Sequence, residues 1–361
     1  MERDAKEALI VYHHKAGRAD DFCLDNVLGT IVRRLCEESP YVARVRSLQS
    51  GVTSHDIVDA DLVVAVGGDG TIRQVLSAVA EVKSQTQGKQ PPVAIVPVGT
   101  GNLFARYLGL FGGGMADPVN YAIDIILNGE VVAVDLGKMN DTYFCIDAGV
   151  GPISNAIVAP KPEQKRRLKM FAYVLPLLQS MRKRPGVFHI NADGEEFVVA
   201  ASGIFITNAN EMGIGTRGFA QICDGELDLC ILHPKTLRDY WRITARFGGW
   251  FLGGVADGNP PYTVRKVRSV NIETRPIPRP PSWWQRILDN GQKLLIGRTP
   301  AAIDSRQELV AMVDGDRCGF TPMRVEVVPA AVQIKIPPRQ DRSFAHDDTV
   351  RHSVAPETKI G

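Results

Sequence analysis

A glycine-rich turn lies between an apolar run and a helical segment near residue 70. The turn consists of Gly67, Gly68, Asp69, Gly70 and Thr71, and the apolar run of residues 62–66 leads directly into it. Glycines let the backbone approach a polyphosphate closely, and the free N–H groups at the start of a helix favour an anion. We therefore predict a nucleotide site. The alternative is a plain strand–turn–helix in which Thr71 and Gln74 form a capping box.

The turn is not one of the common nucleotide fingerprints. GxxxxGKS/T occurs nowhere in the chain, and GxGxxG fails because position 73 is Arg. A second loop of the same kind follows the apolar run of residues 93–96, with Gly99, Thr100, Gly101 and Asn102 leading into a helix predicted through residue 108. Two such loops at neighbouring strand ends can hold a triphosphate from both sides. Asn102 taken alone is more typical of a helix N-cap than of a ligand.

Acidic side chains recur in glycine-containing turns of the second half. Asp224 and Glu226 flank Gly225, and Asp314 and Asp316 flank Gly315. Phosphoryl transfer needs a phosphate cradle, a divalent cation and a positioned acceptor hydroxyl, and these acids together with Asp69 can supply cation ligands and a base. Each Asp-Gly pair alone is a common turn. Their number beside two phosphate loops favours a kinase.

Other metal and redox chemistry is disfavoured. His13 and His14 follow a predicted strand but have no acid or cysteine at metal-ligand spacing, which argues against zinc. The six cysteines lie far apart and form no CxxC pair, which predicts reduced, buried thiols.

The elements that position the two loops alternate up to about residue 128. Short apolar runs at residues 9–12, 42–48, 62–66 and 93–96 predict buried parallel strands. An apolar stripe over residues 24–35 predicts one helix, and Asp117-Pro118 with Gly129 predicts the two ends of another. Ligands of such an open α/β domain bind where the strands end.

After about residue 130 the pattern changes to strands. They are predicted at residues 131–134, 143–146, 187–191, 197–207, 227–232, 262–274, 308–313, 323–328 and 332–336, with one helix near residues 166–181. Asp193-Gly194 is a hairpin signal. The second half is therefore expected to be mostly antiparallel β, followed by a disordered tail from residue 337.

Composition limits the class of protein. At 361 residues the chain suggests about two domains, and its net charge of +2 argues against a nucleic-acid-binding surface. No apolar run reaches the roughly 18–20 residues needed to span a bilayer, and the N-terminus lacks a signal-peptide pattern, so we expect a cytoplasmic protein. The charge is uneven, with eight basic residues and one acid between residues 161 and 184.

The two loops carry a family resemblance. Gly67-Gly-Asp-Gly-Thr71 followed by Pro97-Val-Gly-Thr-Gly-Asn102 resembles the diacylglycerol/sphingosine/ceramide kinase catalytic family, in particular the bacterial lipid kinases of the diacylglycerol-kinase type. The first element alone is also similar to those of NAD kinases and phosphofructokinases, whereas the pair in this order is specific. Further similar stretches at residues 147–151, 165–173, 224–232 and 313–316 extend the resemblance over residues 8–336.

The resemblance implies a fold of two domains. The first is an N-terminal open α/β nucleotide-binding domain, similar to that of phosphofructokinases, over residues 1–130 with a returning strand at about 323–336. The second is a C-terminal antiparallel β-sandwich over residues 131–322, which carries the lipid and contains an insertion at 276–308. Residues 337–361 form the tail.

The resemblance also implies roles for individual residues. Asp316 maps to the family's proton acceptor, and Asp69 to the active-site acid of the first loop. A structural magnesium maps to Asp224 with backbone groups near Gln221 and Glu226. The nucleotide contacts map to Gly67, Gly68, Asp69, Gly70 and Thr71, to Gly99, Thr100 and Asn102, and to Ser50. The implied cofactors are ATP and Mg²⁺.

Four departures from the family pattern bear on function. Relatives usually have Asn-Pro where this chain has His13-His14, Asn-Glu where it has Arg73-Gln74, and Glu where it has Asp316. Residues 152–154 lack the Asp that binds the amine of sphingosine in sphingosine kinases. A diacylglycerol-like neutral hydroxyl is therefore the favoured acceptor.

We therefore expect a cytoplasmic, peripherally membrane-associated lipid kinase. The alternatives are a soluble kinase of the NAD-kinase type and a catalytically silent lipid- or nucleotide-binding protein. All four tryptophans (Trp241, Trp250, Trp283 and Trp284) are interleaved with Arg, which suits a membrane interface or, equally, ordinary β-domain core. In the first case the 276–308 insertion and the basic segment 165–184 dock on an anionic membrane. The sequence leaves the oligomeric state open, a homodimer included.

Overall fold

A computed structural model gives the fold for residues 6–14, 24–50, 52–86, 90–99, 101–111, 117–151, 185–208, 222–233, 239, 262–275 and 308–338. The helices are α1 (Leu24–Glu38), a 3-10 turn (Leu48–Ser50), α2 (Ser54–Val58), α3 (Asp69–Gln85), α4 (Leu103–Tyr107) and α5 (Pro118–Asn128). The strands are β1 (Lys6–Tyr12), β2 (Tyr41–Ser47), β3 (Leu62–Gly67), β4 (Val93–Pro97), β5 (Glu130–Met139), β6 (Thr142–Phe144), β7 (Asp147–Val150), β8 (Gly186–Ala192), β9 (Glu195–Ala201), β10 (Gly203–Thr207), β11 (Leu227–Leu232), β12 (Tyr262–Val267), β13 (Ser269–Arg275), β14 (Val310–Val313), β15 (Asp316–Phe320) and β16 (Met323–Ile336).

One sheet of ten strands runs through both halves of the chain. Its order is β2-β1-β3-β4-β16-β13-β8-β9, and β5 pairs with both β16 and β6. The strands β2, β1, β3, β4 and β16 are parallel where they meet, and the rest pair antiparallel. Because parallel strands end at the same edge, the carboxyl ends of β3 and β4 place both glycine loops side by side.

A second sheet is wholly antiparallel. Its six strands follow the order β12-β11-β10-β7-β14-β15. The fold is therefore a mixed α/β sheet with a separate antiparallel sheet. Among the described helices, none is long and apolar enough to cross a membrane.

Buried side chains form three clusters that explain why these elements pack. One cluster lies between the first sheet and α3, for example Ile72 and Val75 against Val63. A second lies on the opposite face, where Ile31 of α1 and Ile123 of α5 meet Ile10. The third joins the two sheets, since Phe188 and Ile272 of the first pack with residues such as Ile206 of the second.

The predicted elements of the first half are confirmed in type and place. The first four strands fall at β1 to β4, the stripe on α1 is buried, and α5 begins after Asp117 and ends at Gly129 as expected. The predicted burial is wrong for β2, which is an edge strand with Val42 and Val45 exposed. The helical segment predicted to follow the glycine-rich turn begins earlier, at Asp69 within the turn, and its N-cap is Gly68 without a side-chain cap. Thr71 is therefore already inside the helix, so the capping-box alternative is wrong.

Several strands of the second half were merged or divided wrongly. Residues 197–207 form two strands, β9 and β10, which belong to different sheets, and residues 262–274 divide in the same way into β12 and β13. Residues 323–336, predicted as two strands, form the single strand β16 with an irregularity between Val328 and Val332. β15 was missed. Alternation of apolar residues does not reveal a bend at which a chain changes sheets.

The hairpin signals fold as their residue types require. Asp193 and Gly194 both have positive φ and connect β8 to β9, as predicted. Asp314 and Gly315 do the same between β14 and β15. Two successive positive φ angles make a type I′ turn, for which Asp-Gly is a preferred pair. The predicted helix near residues 166–181, the 276–308 insertion except Glu308, the four tryptophans and the tail from residue 339 lie outside the described residues.

Candidate active site

The two glycine loops pack directly against each other. A Cβ atom added to Gly99 would lie 2.4 Å from the Cα of Gly68 and 2.6 Å from Oδ1 of Asn102. A Cβ on Gly67 would lie 2.5 Å from the Thr71 side chain. Gly70 differs, because a Cβ there would meet no neighbouring atom of the described residues within 4 Å. Three of these glycines therefore serve loop packing, whereas Gly70 faces open space where a ligand can approach.

Asp69 links the two loops. Its Oδ1 accepts a hydrogen bond from the backbone N–H of Phe104, 3.2 Å away, at the start of α4. Burial raises the pKa of the Asp69 carboxyl, and the amides of Phe104, Leu103 and Asn102 oppose that rise. A Cβ on Gly101 would lie 2.9 Å from Oδ2 of Asp69. Asp69 is thus a fixed, partly buried acid between the loops.

Asn102 shapes the second loop. It stands at the N-cap position of α4 with φ +49°, yet its side chain makes no capping hydrogen bond. Instead its amide donates to the carbonyls of Gly99 (2.7 Å) and Pro97 (3.2 Å), and its Oδ1 accepts from the Gly99 N–H (3.0 Å). The residue is 5% exposed. Its side chain holds the loop closed, a role that the N-cap interpretation did not include.

The Asp314 carboxylate is fixed by backbone amides of a distant segment. It accepts hydrogen bonds from the N–H groups of Cys145 (3.0 Å), Ile146 (2.8 Å) and Asp147 (3.0 Å). The Asp314 N–H in turn donates to the Asp147 carbonyl at 2.8 Å. These bonds attach the β14–β15 turn to the start of β7, which fixes the position of Asp316 at the other end of the turn.

Burial shifts the pKa values of the two acids at this junction. It raises the pKa of Asp314 to about 6, against the lowering effect of the three amides and of Arg73. It raises the pKa of Asp147 to about 7, and the neighbouring charge of Asp314 adds to that rise. Two buried carboxyls close together resist ionising at the same time.

Arg73 connects the first loop to the β14–β15 turn. Its Nη2 lies 3.0 Å from Oδ2 of Asp316, and its Nε lies 3.8 Å from Oδ2 of Asp314. The Arg73 side chain is 16% exposed and that of Asp316 is 64% exposed. The phosphate-loop helix α3 and the acid predicted to accept the proton therefore face each other across one ion pair. Sequence reasoning treated Arg73 only as a departure from the family pattern.

Asp224 lies elsewhere, in the turn before β11. Its Oδ1 accepts from the Glu226 N–H at 3.0 Å, and its Oδ2 accepts from the Lys266 ammonium at 2.8 Å. The same ammonium is 3.2 Å from Oδ1 of Asp228. Buried Asp135 fixes the turn, since its Oδ2 accepts from the Gly225 N–H at 2.7 Å. Sequence reasoning missed both Lys266 and Asp135, which are distant from the turn in sequence.

Some predicted site residues cannot be placed. Thr100 and Gln221 lie outside the described residues. Ser50 ends the 3-10 turn, and its side chain is likewise outside the described part. In the described ranges no three His, Cys, Asp or Glu side chains gather as a metal site. The roles assigned to individual site residues stay predictions.

Known proteins are similar to this chain in sequence. Residues 7–139 match the family model described as diacylglycerol kinase catalytic domain. The chain is 28% identical over 251 residues to a diacylglycerol kinase of Bacillus subtilis (strain 168), covering 66% of this chain and 77% of that protein. It is 26% identical over 281 residues to one of Staphylococcus aureus (strain bovine RF122 / ET3-1), covering 74% and 82%.

The fold has solved counterparts. The structure of a diacylglycerol kinase from Bacillus anthracis (strain Sterne) superposes with a TM-score of 0.61 at 20% identity, covering 93% of this chain and 99% of that one. The match to a kinase catalytic domain and the curated relatives from Bacillus subtilis and Staphylococcus aureus indicate an ATP-dependent lipid kinase. The family-model match over residues 7–139 and these curated relatives confirm the resemblance of the motifs to the bacterial lipid kinases of the diacylglycerol-kinase type.

Proposed function

We propose that the protein transfers the γ-phosphate of ATP to the free hydroxyl of a diacylglycerol-like lipid, with Asp316 as proton acceptor. The lipid O–H gives its proton to the Asp316 carboxylate while its oxygen bonds to the γ-phosphorus. The bond from that phosphorus to the β–γ bridging oxygen breaks, and ADP leaves. The observation that carries the proposal is the 3.0 Å contact between Arg73, on the phosphate-loop helix, and Asp316.

The two loops supply the phosphate cradle in this proposal. Gly70, which is open to space, stands in the first turn of α3, where backbone N–H groups favour an anion. Gly67, Gly68 and Gly99 keep the loops in contact, and Asn102 closes the second. Thr71, 7% exposed, supports Gly67 from inside the helix. Thr100 and Ser50 stay proposed nucleotide contacts on the resemblance alone.

Magnesium is part of the proposal as the usual partner of ATP, and when bound it neutralises charge on the phosphates. The structural site proposed at Asp224 is a separate matter. Both carboxylate oxygens of Asp224 already accept hydrogen bonds, one from Lys266. The Asp224 carboxylate in this arrangement does not fit a bare divalent cation, because the Lys266 ammonium already neutralises it. No step of the reaction depends on that site.

The proposed division into domains runs through the ten-stranded sheet, because β5, β6, β8, β9 and β13 of that sheet fall in the second domain. The first domain comprises residues 1–130 and 323–336, similar to phosphofructokinases, and β16 supports it by pairing in parallel with β4. The second comprises residues 131–322 as a β-sandwich, supported by the buried cluster shared between the two sheets. We propose that the lipid binds in this second domain.

Peripheral membrane association is proposed from composition. The segments 165–184 and 276–308 contain basic residues, and the second contains Trp283 and Trp284. Each basic residue near an anionic surface adds about 1 kcal/mol to the binding free energy.

Co-sedimentation with liposomes tests the proposed membrane association. The parent is compared with Trp283→Ala/Trp284→Ala, with and without anionic lipid and at two salt concentrations. Equal sedimentation of parent and variant with no effect of salt overturns it.

One assay tests the reaction. Radiolabelled ATP is incubated with mixed micelles of diacylglycerol, with sphingosine micelles, with NAD, or with no acceptor. We expect label in the diacylglycerol product above all other arms. Label in NAD supports the NAD-kinase alternative instead, and absence of transfer in every arm supports a silent binding protein.

A further inference from the structure

The Arg73 guanidinium lies between two acids with unlike surroundings. Asp314 is 2% exposed at its side chain and is fixed by three backbone N–H groups. Asp316 is 64% exposed at its side chain. An exposed aspartate samples several rotamers unless a partner selects one. Within the described residues, the Asp316 carboxylate accepts a hydrogen bond from the Arg73 guanidinium.

The arginine is itself largely buried. It lies four residues after Asp69 on α3, so both project from the same face of the helix that begins at the first glycine loop. The fixed carboxylate of Asp314 lies 3.8 Å from its Nε, an ion pair without a hydrogen bond, and the side chain is 16% exposed. A planar guanidinium can contact two carboxylates at once with defined geometry, which a lysine ammonium cannot reproduce.

We propose that Arg73 is a positioning residue for phosphoryl transfer: from its buried place beside Asp314, it holds the Asp316 carboxylate toward the phosphate loop. The proposal rests on the proposed role of Asp316 as proton acceptor. Arg73 exchanges no proton. It selects the rotamer in which the base reaches the acceptor hydroxyl beside the γ-phosphate, and misplacing a reacting group by about 1 Å costs up to about 100-fold in rate.

Two departures from the family pattern thereby become one feature. Arg73 and Asp316 are distant in sequence, yet their side chains form one ion pair. Aspartate is one methylene shorter than the more usual glutamate. Arg73 restricts the direction in which this shorter carboxylate points.

The test is a set of variants measured with the lipid-kinase assay. Arg73→Met removes the charge and the donors but keeps the length. We expect kcat to fall about 10- to 100-fold while KM for ATP changes less than about threefold. Arg73→Lys, which can contact one acid at a time, is expected to recover part of kcat. Arg33→Met, at an exposed arginine of α1, serves as the matched control and is expected to keep parental activity.

A double-variant cycle separates positioning from other roles. If Arg73 acts through Asp316, then adding Arg73→Met to Asp316→Asn lowers kcat less than about twofold further. Three outcomes overturn the proposal. The first is that the kcat losses of the two single variants multiply in the double variant. The others are a kcat of Arg73→Met within twofold of the parent, and a rise in KM for ATP in place of the fall in kcat. Thermal unfolding excludes a folding defect, and if Arg73→Met does not fold, Arg73→Lys carries the same cycle.

The same set keeps the two proposals apart. Parental activity in Asp316→Asn overturns the base assignment of the proposed function. Loss of activity in Asp316→Asn together with parental activity in both Arg73 variants overturns only the positioning role.

Discussion

The two turns that face each other across Arg73 are built in different ways. The Gly67–Thr71 turn joins β3 to α3, and the loop that it contacts follows the adjacent strand β4. The contact of Gly68 with Gly99 therefore joins two loops at the edge of one sheet. The Asp314–Asp316 turn belongs to the other sheet and is fixed by amides of residues 145–147, which are 167 to 169 positions away.

The difference lies in what each turn can tolerate. The first turn depends on the absence of side chains, because backbone atoms of two loops occupy the space where Cβ atoms would stand. The second depends on the presence of a buried carboxylate with the right donors. One turn is therefore broken by adding atoms and the other by removing a charge.

Adding atoms to the first turn is expected to have the largest effect. A Cβ on Gly68 would lie 3.3 Å from the Gly99 Cα, and the two branches of valine would enlarge the clash. We expect Gly68→Val to abolish turnover, and Asp69→Ala to do the same by removing the acid between the loops. ATP titration and turnover measure both, and circular dichroism checks the helix. Unchanged affinity and activity in both variants contradict the phosphate-loop assignment.

Gly70→Ala is the matched control for this clash. Its Cβ meets no atom of the described residues within 4 Å beyond its own helix backbone and chain neighbours, and alanine favours a helix over glycine by roughly 0.5–1 kcal/mol. We expect normal or raised thermal stability with a severalfold higher KM for ATP, because the added methyl faces the space proposed for the nucleotide. An unchanged KM places the nucleotide away from Gly70.

Removing the exposed charge from the second turn is expected to affect the chemistry alone. Asp316→Asn keeps the size of the side chain, and at this exposed position the fold has little reason to change. We expect kcat to fall by a factor of about 10²–10⁴ with ATP affinity preserved, the usual range for a positioned base. Turnover near that of the parent refutes the assignment.

The buried acids beside this turn predict a pH dependence of stability. The pKa of Asp147 is raised to about 7 in the folded protein, whereas the unfolded chain ionises near 4. Between those values the folded state binds the extra proton, so the free energy of unfolding falls as pH rises from about 4 to about 7. Asp147→Asn removes this loss, and its advantage over the parent grows across the same range.

Urea unfolding at several pH values between 4.5 and 8 measures this difference. Asp25→Asn, at an exposed position in the first turn of α1, is the control and is expected to follow the parent. Parallel curves for the parent and Asp147→Asn mean that the Asp147 carboxyl ionises as readily in the folded protein as in the unfolded chain.

The smallest effect is expected at Asp224, away from both turns. If a structural magnesium binds there, Asp224→Ala reduces magnesium binding in calorimetry, or stability, more than it reduces nucleotide affinity. Lys266→Met sharpens the test, because it frees Oδ2 of Asp224 and is expected to strengthen magnesium binding. Magnesium binding that is unaltered in both variants makes Asp224 a turn residue paired with Lys266.

Elements whose signals are local could be predicted from the amino-acid sequence. The apolar runs of β1 to β4, the stripe of α1, the ends of α5 and the Asp193-Gly194 hairpin depend only on neighbouring residues, and each of these elements was found. The burial of β2 was predicted wrongly, because its place at the edge of the sheet is not a local property. Both glycine loops were located in the same way, since a strand, a glycine turn and a helix follow one another in the chain. The lipid-kinase motifs rest on these local runs.

The sheet that each later strand joins and the contacts of the acids depend on the three-dimensional fold. Residues 197–207 and 262–274 each change sheets at one residue, a bend that alternation does not encode. The partners of Asp314, Asp316 and Asp224 lie about 40 to 240 positions away in the chain. Arg73 became part of the site for this reason: an ion pair depends on distance in space, which the spacing of residues along the chain does not fix.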